Sequence, residues 1–407
     1  MKNRDIYLQK LVDFKDKNVI KVITGIRRCG KSTMLKLFIE YLKENKKSEE
    51  NIIYMNFESL KYGDLDYKLL YNTIKNQIEN SRNKKKFYLF FDEIQVINFW
   101  EKTINSLFVD FDVDIYITGS NAYLLSSELS TYLSGRYIEI KLLPLSFKEF
   151  INFNKFSENT LIDDKFNLYL KYGGLPGLAE FNFNEKQINM VLDGIYSAVV
   201  VKDIMQQVTV KEPNLLNKIV LFLADNIGSI NSPNNIGNVL VNSGIIEKQR
   251  IPNSKTIENY IKLLENAYIF YNAKRYDIKG KEYLKTLEKH YIVDTGIRNY
   301  LLGYRDVDRG HVLENIIYLE LIRRDYKVSI GKVNNKEIDF IATRQSEKIY
   351  FQVSETIAGE NTRNRELEPL KMINDNYEKI ILTMDKNFVS SYDGIKVKNI
   401  IDFLMEE

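Results

Sequence analysis

The sequence predicts an α/β protein in which a parallel sheet is followed by a mainly helical region and then by a second unit of helices and strands. Three observations predict this fold class. Short apolar strands alternate with amphipathic helices through residues 18–120, which is typical of a parallel sheet joined by right-handed crossovers. Helical periodicity then dominates residues 211–266. From residue 311 onward the order is helix, three strands, helix and strand.

The composition limits the classes of protein to consider. The chain has 407 residues, enough for two or three domains, and its 44% hydrophobic and 28% charged residues are ordinary for a globular protein. It has no run of about 18 apolar residues and its first ten residues are charged throughout, so we expect a cytoplasmic protein without a membrane partner. One cysteine excludes an internal disulfide, and with only two histidines it argues against a Cys/His zinc site. The net charge of +3 indicates no class of partner.

The first strand, "NVIKVITG" (18–25), runs into a loop that precedes the helix "STMLKLFIEYLKEN" (32–45). The loop has the spacing G-x-x-x-x-G-K-[S/T], the P-loop, in which backbone N–H groups and the helix amino terminus surround phosphate oxygens. Lys31 is expected to reach the β- and γ-phosphates, and Ser32 to hold Mg²⁺. The two loop arginines either share this anion or point outward, toward acidic side chains or a neighbouring subunit. The predicted ATP-binding residues are Gly25, Ile26, Arg27, Arg28, Cys29, Gly30, Lys31, Ser32 and Thr33.

A P-loop ATPase needs a second element, a buried strand that ends in an acidic residue. The stretch "KKKFYLFFDEIQ" (84–95) supplies it, because residues 87–91 form a continuous apolar run typical of a central parallel strand. Asp92 is the predicted Mg²⁺ partner, and Glu93 is the predicted group that polarises the attacking water. The alternative is that this acid pair only opens a helix.

A third strand, "DVDIYITGS" (112–120), places Ser120 and Asn121 at its carboxyl end, where one of them could contact the γ-phosphate or the water. The site is then expected at the carboxyl edge of the sheet. Arg136 follows a glycine before the next apolar strand. It either stabilises the γ-phosphate in a neighbouring subunit's site or forms a surface salt bridge.

Taken in order, "ITGIRRCGKSTML", "LFFDEIQ", "ITGSNAYLL", "LSGRY" and "LPLSFKEF" resemble AAA-type P-loop ATPases of bacteria and archaea. The group is related to the signal-transduction ATPases and carries a C-terminal domain of unknown function. The resemblance covers essentially the whole chain. It implies the roles given above for Lys31, Ser32, Asp92 and Glu93. It also implies a sensor among Ser120 and Asn121, a trans-acting Arg136, and a homo-oligomer for which a hexamer is one candidate.

The middle of the chain is predicted to hold a helical lid and a winged helix-turn-helix. "YLKYGGLPGLAEF" (169–181) reads as a turn between helical segments that close over the nucleotide. Three helical segments, at 214–228, "SPNNIGNVL" (232–240) and 254–266, followed by a strand pair with its turn at "DIKGK" (277–281), predict the winged helix.

If the winged helix binds DNA, helix 254–266 would enter the major groove and the turn would touch phosphate. The alternative is that it only joins domains or contacts proteins. The predicted nucleic-acid contacts are Lys255, Lys262, Lys279 and Lys281.

The last hundred residues follow the element order of PD-(D/E)xK nucleases, which they resemble. Those enzymes hold Mg²⁺ with an acid on the first helix, an Asp on the second strand and E-x-K or Q-x-K on the third. Here Glu314 or Glu320 would be the helix acid, Asp339 the strand acid, and Gln352 would open the third motif. The lysine position is Ser354, so we expect a nuclease-like domain that does not cleave.

Such a domain could still bind nucleic acid. Its basic residues are Arg323, Arg324, Lys332 and Arg344. The alternative is that Glu337 and Asp339 only form surface salt bridges.

The predicted domains are an ATPase core (1–150), a helical lid or linker (151–208), a winged helix (209–304) and the nuclease-like domain (305–407). The leading hypothesis is Mg²⁺-dependent ATP hydrolysis by an oligomer, coupled to binding or remodelling of duplex or branched DNA. The alternatives are an ATP-controlled protein-binding switch or scaffold in defence or signalling, and an ATP-gated nuclease.

Overall fold

A computed structural model describes most of the chain: residues 2–45, 47–83, 85–122, 133, 135–205, 212–243, 252–283, 287–387 and 389–406. Parts of "ITGSNAYLL" and "LSGRY", and the predicted boundary at 208/209, lie outside these residues. By packing, the chain divides into two units. One comprises Met1–Leu142 and Asn266–Tyr268, and the other Leu143–Glu265 and Ile269–Glu407. The division into four domains stays a prediction.

The first unit is a parallel sheet with helices on both faces. Its strands are β1 (Ile20–Thr24), β2 (Ile52–Asn56), β3 (Phe87–Asp92), β4 (Val113–Gly119) and β5 (Tyr137–Lys141). Its helices are α1 (Asp5–Asp13), α2 (Lys31–Glu44), α3 (Tyr67–Asn80) and α4 (Trp100–Asp110). The strand order is β2-β3-β4-β1-β5, with every pair parallel.

The three central strands are buried along their whole length. The apolar run of β3 is typical of such a strand, and β1 and β4 each bury one charged residue, Lys21 and Asp114, which pair with each other. On one face Phe90 and Tyr116 stack against each other, with Phe38 of α2 packed on both. The predicted parallel α/β sheet is confirmed. Because all strands run in one direction, the carboxyl ends of β1, β3 and β4 meet at one edge of the sheet.

The second unit combines helices with two sheets. Its helices are α5 (Phe147–Phe153), α6 (Ile162–Tyr172), α7 (Glu185–Ala198), α8 (Pro213–Asp225), α9 (Pro233–Asn242), α10 (Ser254–Asn266), α11 (Thr295–Leu302), α12 (Arg309–Arg323), α13 (Glu360–Lys371) and α14 (Ile400–Met405). Its strands are β6 (Ile230–Asn231), β7 (Phe270–Ala273), β8 (Arg275–Asp277), β9 (Glu282–Tyr283), β10 (Glu288–Ile292), β11 (Lys327–Val333), β12 (Lys336–Arg344), β13 (Glu347–Ser354), β14 (Glu378–Thr383), β15 (Ser391–Tyr392) and β16 (Ile395–Asn399). The small sheet has the order β6-β10-β7, and the mixed sheet has the order β15-β16-β14-β13-β12-β11-β8-β9.

The strand pair around residues 277–281 forms a hairpin, β8–β9, but not in the small sheet that accompanies the helices of the predicted winged helix. β8 pairs in parallel with β11 and so extends the large mixed sheet. Helices α8 to α10 are accompanied instead by the sheet β6-β10-β7. Only Lys274 separates β7 from β8, so the chain passes directly from one sheet to the other.

A tight junction links the turn after α6 to the start of α11. A Cβ on Gly296 would lie 2.2 Å from the carbonyl oxygen of Tyr172, so no side chain fits there. Asp294 caps α11 through Ile297 N (3.1 Å) and also accepts from Gly174 N (2.7 Å). Two glycine-containing turns far apart in sequence are therefore held together by one buried carboxylate.

Among the described helices, none is both long and apolar enough to cross a membrane.

Candidate functional site

The loop between β1 and α2 curls tightly, as the glycine spacing predicts. Gly25, Arg28 and Gly30 have φ angles of 141°, 67° and 103°. A Cβ on Gly25 would lie 2.2 Å from the backbone oxygen of Leu142, so only glycine fits. The loop ends at the amino terminus of α2, whose partial positive charge favours an anion.

Lys31 is the first residue of α2 and its side chain is buried. Its Nζ donates to the carbonyl oxygens of Gly25 (3.1 Å) and Ile26 (3.3 Å) and lies 3.7 Å from Glu93 Oε1. The ammonium group therefore lies inside the loop and beside the candidate catalytic carboxylate. Phosphate oxygens would be stronger acceptors for it than these carbonyls.

Asp92 is the last residue of β3 and is fully buried. Its Oδ2 accepts from Tyr54 OH and Asn56 Nδ2, both at 2.9 Å, and its Oδ1 accepts from Thr118 Oγ1 at 2.6 Å. Burial and the charge of Asp92 raise the pKa of Tyr54, which keeps the phenol a donor. Three neutral donors from β2 and β4 therefore fix the orientation of this carboxylate.

Glu93 adopts a left-handed conformation (φ 54°), which costs a non-glycine residue about 1 kcal/mol. Its backbone N–H donates to Thr118 Oγ1 (2.9 Å), and its Oε2 accepts from Gln95 Nε2 (2.5 Å). Such strain is found preferentially at functional sites. Here it accompanies the turn that brings the carboxylate near Lys31.

Ser120 and Asn121 follow β4 directly and are buried. Since β4 lies between β1 and β3, these residues are located between the P-loop and the acid pair. Ser32 is half-buried and Thr33 is exposed at the start of α2. The structure thus brings the predicted nucleotide residues together at one edge of the sheet.

The other three predicted loop residues, Arg27, Arg28 and Cys29, differ in burial and in their contacts. Arg27 NH1 pairs with Glu58 Oε1 at 3.1 Å, whereas Arg28 is exposed. Cys29 is buried, its carbonyl oxygen accepts from Arg4 NH1 (3.2 Å), and burial raises the pKa of its thiol. Modification chemistry at this cysteine is therefore disfavoured.

Arg136 lies elsewhere in the unit. It is exposed, directly precedes β5, and donates from NH1 to Asn105 Oδ1 (3.3 Å). The amino end of β5 is at the edge of the sheet opposite the P-loop, roughly five residues or 16 Å away along the strand. The side chain therefore cannot reach the P-loop of its own chain.

Sequence reasoning missed the donors to Asp92 and a contact beneath the P-loop. Thr24 Oγ1 at the end of β1 donates to Glu139 Oε1 (2.7 Å), and the same oxygen accepts from Tyr268 OH (3.1 Å). Tyr268 has a φ of 55° and belongs to the short segment that packs into the first unit. The sequence gives no signal for it, since it lies 129 residues from Glu139.

Comparisons with known proteins agree with this geometry. A family model described as an AAA domain matches residues 17–151, and a second, a domain of unknown function (DUF8612), matches residues 163–308. An uncharacterized protein of Haemophilus influenzae is 44% identical over 409 residues, covering 100% of this chain and 99% of the relative. The chain belongs to the AAA-type P-loop ATPases.

A second relative by sequence and one solved structure are also similar to this chain. An uncharacterized protein of Methanocaldococcus jannaschii is 31% identical over 409 residues, covering 95% of this chain and 86% of the relative. The structure of a Walker-type ATPase of Pyrococcus abyssi superposes with a TM-score of 0.50 and 16% identity, covering 74% of this chain and 96% of that one. The similarity to the Pyrococcus abyssi structure supports the P-loop ATPase fold of this AAA-type ATPase.

The C-terminal part of the AAA-type ATPase holds a second group of carboxylates, which we call the acidic cluster: Glu314, Glu337, Asp339 and Glu366. Val353 N donates to Asp339 Oδ2 (2.7 Å), and Gln352 Nε2 donates to Glu366 Oε2 (2.9 Å). Burial and the nearby charge of Glu314 raise the pKa of Asp339 well above its usual range. The structure therefore places Glu314 near Asp339.

Glu320 has other partners. It accepts from Arg323 Nε (3.1 Å) and Arg324 Nε (2.8 Å), at and just after the end of its own helix. Of the two candidate helix acids, it is Glu314 that shares the site of Asp339.

A lysine does reach the acidic cluster, although from a different element than the nuclease pattern expects. Ser354 Oγ donates to the carbonyl oxygen of Thr356 (3.0 Å). Lys289 on β10, which is buried, pairs instead with Glu314 Oε1 (2.9 Å) and Glu337 Oε1 (2.7 Å). These carboxylates raise the pKa of Lys289 despite the opposing effect of burial. Sequence reasoning missed this residue.

The predicted nucleic-acid residues are distributed over two elements. Lys255 and Lys262 are exposed on α10, and Lys262 pairs with Glu258 (2.6 Å). Lys279 and Lys281 are exposed at the β8–β9 turn.

The other basic residues considered from sequence each have an acidic partner in the structure. Arg323 and Arg324 pair with Glu320, Lys332 with Asp277, and Arg344 with Glu347.

Proposed function

We propose that the protein binds Mg²⁺·ATP at the carboxyl edge of β1, β3 and β4 and hydrolyses it. One observation carries the proposal: Lys31 lies 3.7 Å from Glu93, next to an Asp92 whose two oxygens are held by three neutral donors. Phosphoryl transfer to water needs positive charge on the phosphates, an oriented water and a positioned metal ion. The groups at this edge can supply each of these.

The roles follow from chemistry and position. The loop N–H groups and Lys31 bind the β- and γ-phosphates, and Glu93 accepts the proton of the attacking water. The donor set fits Mg²⁺, because the oriented carboxylate of Asp92 and the hydroxyl of Ser32 are the hard oxygen ligands that this ion prefers. When bound, Mg²⁺ neutralises charge on the phosphates.

The direct test measures ATP binding and phosphate release by wild-type protein and Lys31→Ala. Lys36→Ala is the matched control, since Lys36 is exposed on the same helix. We expect loss of binding and turnover in Lys31→Ala and wild-type behaviour in Lys36→Ala. Equal ATP affinity in all three proteins would contradict the proposal.

We further propose that the ATPase cycle is coupled to binding or remodelling of DNA. The exposed lysines of the β8–β9 turn support this, whereas the pairing of Lys262 with Glu258 reduces the positive charge of α10. Hydrolysis is measured at low salt with duplex, forked and single-stranded DNA, because phosphate contacts weaken steeply with salt. Stimulation that falls in Lys279→Ala/Lys281→Ala supports the proposal. If no form of DNA binds or stimulates, an ATP-controlled protein-binding switch becomes the better interpretation.

Arg136 is proposed to act in a neighbouring subunit of a homo-oligomer, such as a hexameric ring. Its exposure and its distance from the P-loop of its own chain support this. Lys31→Ala and Arg136→Ala proteins are mixed, and turnover is compared with that of each alone. Recovery in the mixture supports shared sites, and its absence leaves Arg136 a surface residue.

An ATP-gated nuclease is the second candidate function. It is favoured by the contact of Lys289 with the acidic cluster, because nucleases of this fold need a lysine beside their carboxylates. Against it, the ammonium group is already paired with two carboxylates, and Asp339 has a raised pKa. We therefore expect no cleavage of labelled DNA with ATP and either Mg²⁺ or Mn²⁺. Cleavage that disappears in Asp339→Ala would establish the nuclease.

A further inference from the structure

Three side chains converge where α10 ends beside β10: Glu265, Glu288 and His290. One ligand atom from each lies within 4.8 Å of the others. Glu288 and His290 are two residues apart on β10 and so face the same side of the strand, whereas Lys289 faces the acidic cluster on the other side. The three residues therefore form a separate group.

His290 is the decisive member of this group. It is 5% exposed, and neither ring nitrogen makes a hydrogen bond to any described residue. A buried polar atom without a partner costs about 1–3 kcal/mol, so native structures rarely leave one. The imidazole contacts Glu265, with Nε2 lying 3.4 Å from Oε1, but the geometry is not that of a hydrogen bond.

This separation is the one expected for two ligands of one metal ion. Zinc bonds to nitrogen and oxygen of about 2.0–2.2 Å, arranged tetrahedrally, place the two ligand atoms about 3.3–3.5 Å apart. The carboxylate of Glu288 is already oriented, because Asn272 Nδ2 donates to its Oε2 (3.1 Å). Such supporting hydrogen bonds are typical of metal ligands.

We propose that Glu265, Glu288 and His290 bind a divalent transition-metal ion of the Zn²⁺ class. An imidazole with two carboxylates favours such an ion over Mg²⁺ or Ca²⁺, which prefer oxygen ligands alone. The ion would fasten the end of α10 to β10, with a remaining coordination position open to water. The site is independent of the proposed ATP chemistry, since none of its ligands belongs to the nucleotide site.

The test uses full-length protein treated with chelator and transferred to buffer with excess Mg²⁺, which saturates oxygen-only sites. Zn²⁺ binding is titrated by calorimetry, and bound metal is counted by elemental analysis after dialysis. Co²⁺ is then used as a spectroscopic probe, because its visible bands report coordination by the protein. The test variants are His290→Gln and Glu265→Gln, and the matched controls are His311→Gln and Glu258→Gln, both exposed residues.

We expect about one equivalent of Zn²⁺ per chain in wild type and both controls, and at least about 10-fold weaker binding in both test variants. Circular dichroism checks their folding. If His290→Gln does not fold, Glu265→Gln decides, because its side chain is partly exposed and the change is isosteric. Wild-type protein that takes up no Zn²⁺, or full affinity in Glu265→Gln, would overturn the proposal and leave His290 and Glu265 in contact without a metal ion.

Discussion

The nucleotide site and the acidic cluster both gather carboxylates around one buried lysine, but they neutralise the carboxylates differently. Asp92 accepts from Tyr54, Asn56 and Thr118, all neutral donors. Asp339 lies near Glu314 and Glu366, and burial, together with the charges of these two carboxylates, raises its pKa. The first arrangement keeps a carboxylate oriented and available, whereas the second satisfies its charges within the protein.

The two lysines differ in the same way. Lys31 donates to two backbone carbonyls and lies 3.7 Å from Glu93, so its ammonium group can exchange these contacts for phosphate. Lys289 pairs at 2.9 and 2.7 Å with two carboxylates. Charge that is already paired contributes to structure rather than to ligand binding, and the following predictions test this distinction.

The largest expected effect is on turnover, from Glu93→Gln. The amide keeps the size of the side chain but cannot accept a proton from water, so kcat should fall by about 10²–10⁴-fold. ATP affinity should be retained, because the loop amides and Lys31 remain. Phosphate release and nucleotide binding are measured in parallel.

Glu50→Gln serves as the control, since Glu50 is exposed in the same unit. Turnover in Glu93→Gln within a few-fold of wild type would remove the assigned role from this carboxylate.

The next effect is on stability, from Lys289→Met. Removing the ammonium leaves Glu314 and Glu337 without their cation, and breaking a buried pair in this way costs about 3–5 kcal/mol. The free energy of unfolding is measured in urea, with Lys332→Met as control. Lys332 pairs with Asp277 near the surface, where a salt bridge contributes about 0–1 kcal/mol.

Adding Glu314→Gln to Lys289→Met should recover part of the loss, because the unpaired charge is removed. If Lys289→Met is no less stable than Lys332→Met, Lys289 is not the structural counter-charge of the cluster.

The nucleotide loop and the acid pair could be predicted because their chemistry lies in contiguous segments. The glycine spacing determines the positive φ angles at Gly25 and Gly30, and the apolar run before Asp92 determines a buried strand. The donors to Asp92 come from neighbouring strands. Asn56 is its register partner on β2, so a polar residue at the end of the apolar stretch "IIYMN" was the available signal.

Lys289 could not be predicted in the same way. Its pairing with Glu314 joins a strand of the small sheet to a helix of the nuclease-like region, so it depends on tertiary packing. The β8–β9 hairpin was correctly predicted as a hairpin, but the choice of sheet depends on which edge is available, and sequence periodicity does not contain that information.

Asp294 is a third buried carboxylate, and among the described residues it accepts hydrogen bonds from backbone N–H groups, including those of Gly174 and Ile297. Burial raises its pKa from 3.8 to about 6, and the N–H donors oppose the rise. The folded state therefore holds the proton more tightly, so this group's stabilisation is complete below about pH 4 and is lost as the pH rises through about 6. The loss corresponds to about 3 kcal/mol.

In Asp294→Asn this pH-dependent contribution disappears. The stability difference between wild type and variant, measured in urea at several pH values, should shrink as the pH rises through this window. A constant difference would show that Asp294 titrates normally.

The smallest expected effect comes from Thr118→Val, which tests whether neutral donors hold the acid pair in place. The change removes the donor to Asp92 Oδ1 and the acceptor of Glu93 N, at almost constant volume. Each lost hydrogen bond costs about 1 kcal/mol, so the two together correspond to a fall in kcat of at most about 30-fold, while ATP still binds. Thr103→Val is the matched control, because that buried hydroxyl donates to the carbonyl oxygen of Tyr67, away from the nucleotide site. A loss of stability in both variants, with slower turnover only in Thr118→Val, would locate the effect in the orientation of Asp92 and Glu93. Equal turnover in both would mean that Tyr54 and Asn56 suffice to hold Asp92.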